Sequence, residues 1–213
     1  HGDPNYAQDC LTEKGVEQAE KLAEFIKDWE IDEIYQSPMG RAKQTASYSL
    51  KKWEKSAETL EMIREISWGD KSGNAYASDS PWSIIDGLIE KEHKYPAGDE
   101  WQNLKELKND RLVEDFEERC CLFDKFLEEH GYSRSGQLYK AEVPNEKNIV
   151  FFCHGGISAA LIAYALNIPF FQFNAHVGIK LTSISKISFD GKPGNFVPAK
   201  LEYLNATPHL GFC

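Results

Sequence analysis

The sequence predicts an α/β layer fold, because strand-like and helix-like segments alternate along the chain. Two short apolar segments, IDEIYQS and NIVFFC, have the composition of buried strands, and each is followed by a helix-like pattern. Between them, residues 67–130 are richer in Gly, Pro and charge, which indicates a helical insertion. The chain has 213 residues and is 41% hydrophobic, enough for one sizeable domain with a core.

The first third of the chain predicts a strand between two helices. Thr12 is a candidate N-cap for the helix TEKGVEQAEKLAEFIKDW, whose apolar residues recur at helical spacing. IDEIYQS then reads as a strand, and SPMGRAKQTASYSLKKW as a turn that enters a second helix. Residues 62–66 are expected to form another short extended piece. These elements build a strand–turn–helix unit.

The remainder predicts a loop-rich segment, further helices and a second strand–helix unit. Residues 67–100 are expected to form loops around one short helix, and residues 99–130 one or two long helices. NIVFFC reads as a buried strand that feeds the helix GGISAALIAYAL. Near the end, GIKLTSISKISFDGKPGNFVPAKLEYL resembles an antiparallel hairpin with DGKPGN as its turn.

Composition excludes several classes of function. With 24 basic against 34 acidic residues, the net charge is −10 and no Lys/Arg run offers a nucleic-acid footprint. No apolar stretch approaches the ~20 residues of a membrane span. The five cysteines lack a disulfide or zinc spacing, which favours a reducing compartment, and we expect the cytoplasm. The sequence carries no signal for an oligomeric state.

A His-Gly pair at the end of the second strand indicates a ligand site. Strands of open α/β sheets form their sites at the carboxyl edge, and His154 lies at such an end. Gly155 and Gly156 follow, so backbone N–H groups at the helix start can approach an anion closely. Taken alone, a strand-terminal His is more often structural.

A second His-Gly pair, His1-Gly2, favours phosphoryl chemistry. Neutral imidazole is a nucleophile at physiological pH, and a guanidinium such as that of Arg41 stabilises phosphoryl oxygens. The leaving alkoxide needs a proton, which a carboxyl group such as Glu65 can supply. These residue types together form a complete set for phosphoryl transfer.

Five motifs in order along nearly the whole chain resemble the histidine phosphatase superfamily, also called the phosphoglycerate-mutase-like family. They are HGDPNY at the start, LTEKG at 11–15, SPMGRAKQTA at 37–46, IREISWGD at 63–70 and FFCHGG at 151–156. One such match would carry little weight, whereas five in order are specific.

The resemblance implies site residues and roles. His1 would be the nucleophile that becomes phosphohistidine, while Arg41 and His154 would bind the transferring phosphoryl group. Glu65 would protonate the leaving oxygen and then deprotonate the attacking water. The expected substrate-binding residues are Gly2, Asn5 and Gly155. Neither a metal nor a cofactor is implied, and the expected partner is a small phosphorylated molecule.

The resemblance also implies a fold, from which the sequence departs in places. We expect a three-layer α/β/α sandwich in a single domain over 1–213, with a mixed, mostly parallel sheet and a small helical lid over about 67–111. The apolar strand and the Arg that precede the nucleophile in the family pattern are absent before His1. Asn5 stands closer to His1 than its family counterpart, and GDKSG at 69–73 replaces Gly-x-Trp-Glu-Gly.

The expected activity is that of a metal-independent phosphomonoesterase of the phosphatase branch, with three alternatives. A phosphoglycerate-type mutase would use the same groups, but its longer substrate-enclosing segments are missing from the sequence. A non-catalytic phosphate-binding member is the second alternative. In the third, His1 is a mature N-terminus that chelates a transition metal together with His154. If Glu65 is not the acid, Asp3 and Asp70 are the next candidates.

Overall fold

The computed structural model describes residues 9–71 and 80–211. Its first part contains the helix α1 (Glu13–Ile26), the strand β1 (Glu33–Gln36), the helix α2 (Gly40–Trp53) and the strand β2 (Glu58–Thr59). Thr12 is the N-cap of α1, and its side chain accepts a hydrogen bond of 3.0 Å from the Gly15 N–H. The predicted helix–strand–helix order and the N-cap are therefore confirmed.

The second part contains four helices, six strands and several 3₁₀ turns among the described residues. The helices are α3 (Pro81–Glu92), α4 (Leu112–Glu129), α5 (Gly155–Ala165) and α6 (Phe170–His176). The strands are β3 (Tyr132–Ser135), β4 (Leu138–Ala141), β5 (Ile149–Phe152), β6 (Ile184–Ser188), β7 (Phe196–Val197) and β8 (Lys200–Ala206). Its 3₁₀ turns are Gly98–Asn103, Lys105–Leu107 and Pro208–Leu210, and a further one, Glu61–Ile63, follows β2 in the first part.

A parallel sheet of three described strands, in the order β2-β1-β5, stands at the centre of the fold. Gln36 at the end of β1 lies opposite Phe152 at the end of β5, so both strands end at the same edge. The Ser37 N–H extends the pairing with a hydrogen bond of 2.8 Å to the Phe152 carbonyl. The predicted α/β class and parallel sheet are confirmed, and the residues that follow β1 and β5 meet at this carboxyl edge.

The helix α5 lies between two hydrophobic clusters, which explains why it is apolar on all sides. Ala159 and Ala160 pack in a cluster that includes Trp101 and Phe170, while Ile157 and Leu161 pack in the cluster on the other side. A helix buried on all sides has no polar face to expose. Its N-terminus, and the residues before it, are therefore held firmly at the sheet edge.

The residues on either side of the segment 71–109 are paired with each other. Asp70 and Asp110 form an antiparallel bridge, and the Arg111 N–H donates to the Gly69 carbonyl at 3.0 Å. The buried Asp110 carboxylate accepts the Gly69 N–H at 2.9 Å and the Leu112 N–H at 2.8 Å. The two ends of this segment, which carries α3, are thus joined at its base.

Three predicted elements differ in the structure. Residues 62–66 are not an extended piece: a 3₁₀ turn occupies 61–63, and the strand that pairs with β1 is β2, four residues earlier. Only 112–129 of the segment 99–130 is a long helix. Before it the chain makes two 3₁₀ turns, Gly98–Asn103 and Lys105–Leu107, that bury Trp101 and Leu107 in a cluster, so packing overrides the helical spacing.

The predicted hairpin near the end is only partly correct. β6 and β8 do pair antiparallel, but DGKPGN is not a tight turn between them, because the following strand β7 pairs with β4. The hairpin β3–β4 is absent from the sequence prediction, and its turn contains Gly136 at φ +62°. The pairing of β7 with β4 joins strands far apart in the chain, whereas β3 and β4 are neighbours joined by a short turn.

Three further properties concern the described residues. None of their helices has the length and apolar character needed to span a membrane. Cys10, Cys120, Cys121 and Cys153 are free thiols. Within 9–71 and 80–211, no three His, Cys, Asp or Glu side chains form a group that could hold a metal ion.

Candidate active site

His154 follows β5 at the carboxyl edge of the sheet and is 9% exposed. Its Nε2 lies 2.7 Å from the hydroxyl of Ser37, the fully buried residue that follows β1. Burial, followed by the positive charge of Arg41, lowers the pKa of His154 to about 3. The imidazole is therefore neutral at physiological pH when no anion is bound.

The Ser37 hydroxyl connects His154 to the start of the turn that follows β1. It accepts a hydrogen bond of 3.3 Å from the Met39 N–H and shares a second with His154 Nε2. If the hydroxyl donates to Nε2, Nδ1 carries the ring proton and can donate to a ligand. Ser37 thus holds the ring in place through Nε2.

Glu65 lies beside the helix that His154 precedes. Its Oε1 accepts hydrogen bonds from the N–H groups of Ile157 at 2.8 Å and Ile66 at 3.0 Å, and its Oε2 accepts one from Gly156 at 3.4 Å. Burial raises the pKa of this carboxyl, which is 8% exposed, although the three N–H groups and the charge of Arg41 act against the rise. A buried carboxyl therefore sits against the start of α5.

Gly156 makes this close approach possible. A Cβ atom at this position would lie 2.8 Å from Glu65 Oε1, 2.7 Å from Ile66 Cγ2 and 3.0 Å from Trp82 Cη2. Gly155 differs, because its nearest neighbour would be Ile179 at 3.8 Å, an ordinary contact distance. The second glycine of His-Gly-Gly thus has a steric role in seating Glu65.

Arg41 lies in the first turn of α2 and is paired with Asp9. Its Nη1 donates to Asp9 Oδ1 at 2.8 Å, while Asp9 Oδ2 accepts the Gly40 N–H at 2.5 Å. Burial acts to raise the pKa of Asp9, but these backbone bonds and the Arg41 charge outweigh it and lower the pKa. A Cβ on Gly40 would lie 2.4 Å from the Asp9 carbonyl oxygen, so glycine is required where the two segments touch.

Arg41 interacts electrostatically with both Glu65 and His154: its charge opposes the rise in the pKa of Glu65 and adds to the fall in the pKa of His154. The structure thus brings together three side chains from distant parts of the chain, and it places Gly155 at the first position of α5. The predicted residues His1, Gly2 and Asn5 lie outside the described residues, as does the alternative acid Asp3. The other alternative, Asp70, lies at the base of the 71–109 segment.

Sequence reasoning missed three residues at this site: Ser37, Asp9 and Trp82. Ser37 could have been found, because it is the last residue of the predicted strand IDEIYQS and so lies at the carboxyl edge. Asp9 and Trp82 carry no such signal. Asp9 reaches Arg41 across 32 positions, and Trp82 reaches Gly156 across 74 positions, so only tertiary packing brings them here.

A family comparison assigns the chain to a known family. The model of the histidine phosphatase superfamily, branch 1, matches residues 3–200, which include Arg41, Glu65 and His154. The chain belongs to the histidine phosphatase superfamily. A search of curated proteins gives no match.

Several solved structures that resemble this family member are phosphatases by name. The α-ribazole phosphatase of Shigella flexneri is 21% identical with a TM-score of 0.59, and the match covers 92% of this chain and 84% of that one. A phosphoserine phosphatase variant of Entamoeba histolytica, in complex with phosphoserine, is 19% identical with a TM-score of 0.61 and coverages of 94% and 86%. Mycobacterial glucosyl-3-phosphoglycerate phosphatase is 21% identical, with a TM-score of 0.59 and coverages of 92% and 87%. At these identities the likeness shows a shared fold.

Proposed function

We propose that this histidine phosphatase family member is a metal-independent phosphomonoesterase that acts through a phosphohistidine on His1. The observation that carries the proposal is the placement of Glu65. This buried carboxyl, with its raised pKa, is bound to the start of the helix that His154 precedes, and the Arg41 charge acts on both groups. A proton donor and two candidate phosphoryl ligands are therefore neighbours.

In the first proposed step, phosphate passes from the substrate to His1. An imidazole nitrogen of His1 forms a bond to phosphorus while the bond from phosphorus to the substrate oxygen breaks. Arg41 and the Nδ1–H of His154 donate hydrogen bonds to the phosphoryl oxygens, together with backbone N–H groups near Gly155. Glu65 gives its proton to the leaving oxygen, so the product is a neutral alcohol.

In the second proposed step, water releases the phosphate. Glu65, now ionised, takes a proton from a water molecule whose oxygen attacks phosphorus. The phosphorus–nitrogen bond breaks, inorganic phosphate leaves, and both His1 and the protonated Glu65 are restored. The same carboxyl thus serves as acid and then as base.

Local positive charge explains how an acidic protein would bind an anion. The overall charge of −10 repels a phosphate, but the N-terminus of α5 lies at the sheet edge, near the guanidinium of Arg41, one nitrogen of which pairs with Asp9. His154 is neutral without ligand, and a phosphate dianion beside it would raise its pKa. The site is therefore suited to a doubly charged phosphomonoester.

The names of the structural neighbours support a small phosphomonoester as the substrate class. Three of them are an α-ribazole phosphatase, a phosphoserine phosphatase and a glucosyl-3-phosphoglycerate phosphatase, and the feature common to the three named activities is a phosphate group. We extend to this chain only that shared feature.

The proposal is tested by phosphate release and by trapping the phosphoenzyme. The complete protein is screened against sugar phosphates, nucleotides, phosphoglycerates and phosphoamino acids, and rapid quenching with labelled substrate captures the intermediate. We expect an acid-labile, base-stable phosphoprotein that disappears together with turnover in His1→Ala. The exposed His93 provides a control: His93→Asn, which suits its left-handed φ of 55°, should retain both.

Each other outcome identifies a different error. A phosphoenzyme that persists in His1→Ala would mean that the nucleophile is misassigned. Interconversion of phosphoglycerate isomers without phosphate release would identify a mutase. Phosphate binding without turnover of any substrate would identify a non-catalytic member.

A further inference from the structure

Trp82 and Glu65 both lie beside the α-carbon of Gly156. It is the second residue of α3, half-buried, and its Cη2 lies 3.0 Å from the position that a Cβ on Gly156 would occupy. Glu65 Oε1 lies 2.8 Å from the same position. The outer ring of the Trp82 indole and the Glu65 carboxylate oxygen thus lie on either side of the Gly156 α-carbon, which carries no side chain, at the start of α5.

The indole is held in place by its own element and by a second tryptophan. Ser80 caps α3 by accepting the Ser83 N–H at 3.2 Å, and Pro81 is buried at the first helical position. Trp68, 5% exposed, meets Trp82 edge to face with ring centroids 5.4 Å apart. The joined base of the 71–109 segment restrains the helix further, so Trp82 has a defined position.

An apolar ring beside a carboxyl group favours its neutral form, because it excludes the water that would solvate the charge. The general acid of lysozyme, a glutamate in an apolar pocket against a tryptophan, has a raised pKa for the same reason. The other groups near Glu65 are Arg41 on α2, three backbone N–H groups and the Cys153 thiol at the end of β5. Arg41 and the N–H groups favour the ionised form. Protonation therefore depends on how completely water is excluded.

We propose that Trp82 is a positioning residue whose indole excludes water from Glu65 and so keeps this carboxyl protonated for transfer to the leaving group. The part that concerns catalysis rests on the proposed function, in which Glu65 is the acid. The part that concerns protonation does not, because it is a statement about one carboxyl and one ring. The two parts can be tested separately.

The experiment measures Glu65 directly and through activity. Carboxyl carbon-13 NMR of labelled protein, with the resonance assigned by Glu65→Gln, gives the pKa of Glu65 in the wild type, Trp82→Ala and Trp82→Phe. The dependence of kcat/KM on pH for an alkyl phosphate is recorded in parallel. A general acid must be protonated, so activity falls as pH rises through its pKa.

We expect Trp82→Ala to lower the pKa of Glu65 by on the order of one unit and to move the alkaline limb of activity equally far to lower pH. Trp82→Phe should give a smaller shift in the same direction, because phenylalanine lacks the outer ring that carries Cη2. Trp29→Ala is the control, since Trp29 is also half-buried and packs against Phe25 on α1. It should leave both measurements unchanged.

Each outcome decides one part of the proposal. An unchanged Glu65 pKa in folded Trp82→Ala, or an equal shift in Trp29→Ala, would overturn it. A lowered pKa with an unmoved pH profile would leave water exclusion standing and refute the role of Glu65 as acid. If Trp82→Ala does not fold, Trp82→Phe and Trp82→Leu decide by the presence or absence of the shift.

Discussion

Two glutamates at the central sheet have opposite environments. Glu33 begins β1 at the amino edge, and its carboxylate accepts hydrogen bonds from three side chains: Lys147 at 2.5 Å, Tyr35 at 2.7 Å and His130 Nε2 at 2.8 Å. These bonds lower the pKa of Glu33 to about 2. Each hydrogen bond described for Glu65, near the carboxyl edge, comes from the backbone instead, and burial raises its pKa.

The difference shows what suits a carboxyl for proton transfer. A cation such as Lys147 keeps Glu33 ionised at physiological pH. The ion pair stabilises the fold, but it leaves the Glu33 carboxylate without a proton to transfer. Backbone N–H groups bind Glu65 in place without supplying a full charge, so burial decides its protonation. The same residue type is thus an ion-pair partner at one edge and a candidate acid at the other.

The largest expected effect is the loss of activity in Glu65→Gln. The amide cannot donate a proton to an alkoxide, so kcat on alkyl phosphates, whose leaving groups have pKa values on the order of 15, should fall by about 100-fold or more. Hydrolysis of p-nitrophenyl phosphate should fall far less, because its anion departs with little help. Steady-state kinetics on the two substrates measure the contrast.

The matched variant at the other edge is Glu33→Gln, which should leave both rates near those of the wild type. Equal losses on the two substrates in Glu65→Gln would assign this residue to water activation or positioning rather than to leaving-group protonation. No loss in Glu65→Gln would move the acid to Asp3 or Asp70.

The next effect concerns the two glycines after His154. In Gly156→Ala the new methyl group would overlap Glu65, Ile66 and Trp82 at 2.7–3.0 Å, so we expect the free energy of unfolding to fall by about 1–3 kcal/mol. In Gly155→Ala the nearest neighbour is 3.8 Å away, and the change should stay within about 1 kcal/mol. Urea unfolding measures both, and equal losses would contradict the steric role of Gly156.

The smallest effect is the pH dependence of the Glu33 contribution to stability. Its folded pKa of about 2 lies below the ordinary value of 4.5, so the contribution is complete above about pH 4.5 and is lost as pH falls toward 2. Because the side chain is 25% exposed, we expect only about 1 kcal/mol between wild type and Glu33→Gln at pH 6. Urea unfolding at pH 6, 4 and 3 should show the difference shrinking, and a constant difference would refute the assignment.

Much of the fold near the site followed from local patterns. The helices α1, α2 and α5 and the strands β1 and β5 were predicted because their apolar spacing and caps are local signals. The hairpin β3–β4 was missed although it is local. The pairing of β7 with β4 was not predicted, because it depends on a partner elsewhere in the chain. For the same reason the two 3₁₀ turns before α4 were mistaken for helix.

The sequence by itself determined which residue types could carry the chemistry and the family to which the chain belongs, because both depend on motifs in a fixed order. Only the tertiary structure decided the protonation of Glu65 and His154 and the hydrogen bonds that hold Arg41 in place. Protonation depends on burial and on neighbours such as Ser37, Asp9 and Trp82, which come from separate elements of the chain. Their contacts with the site arise when the sheet, α5 and the 71–109 segment pack together, and no local pattern encodes that packing.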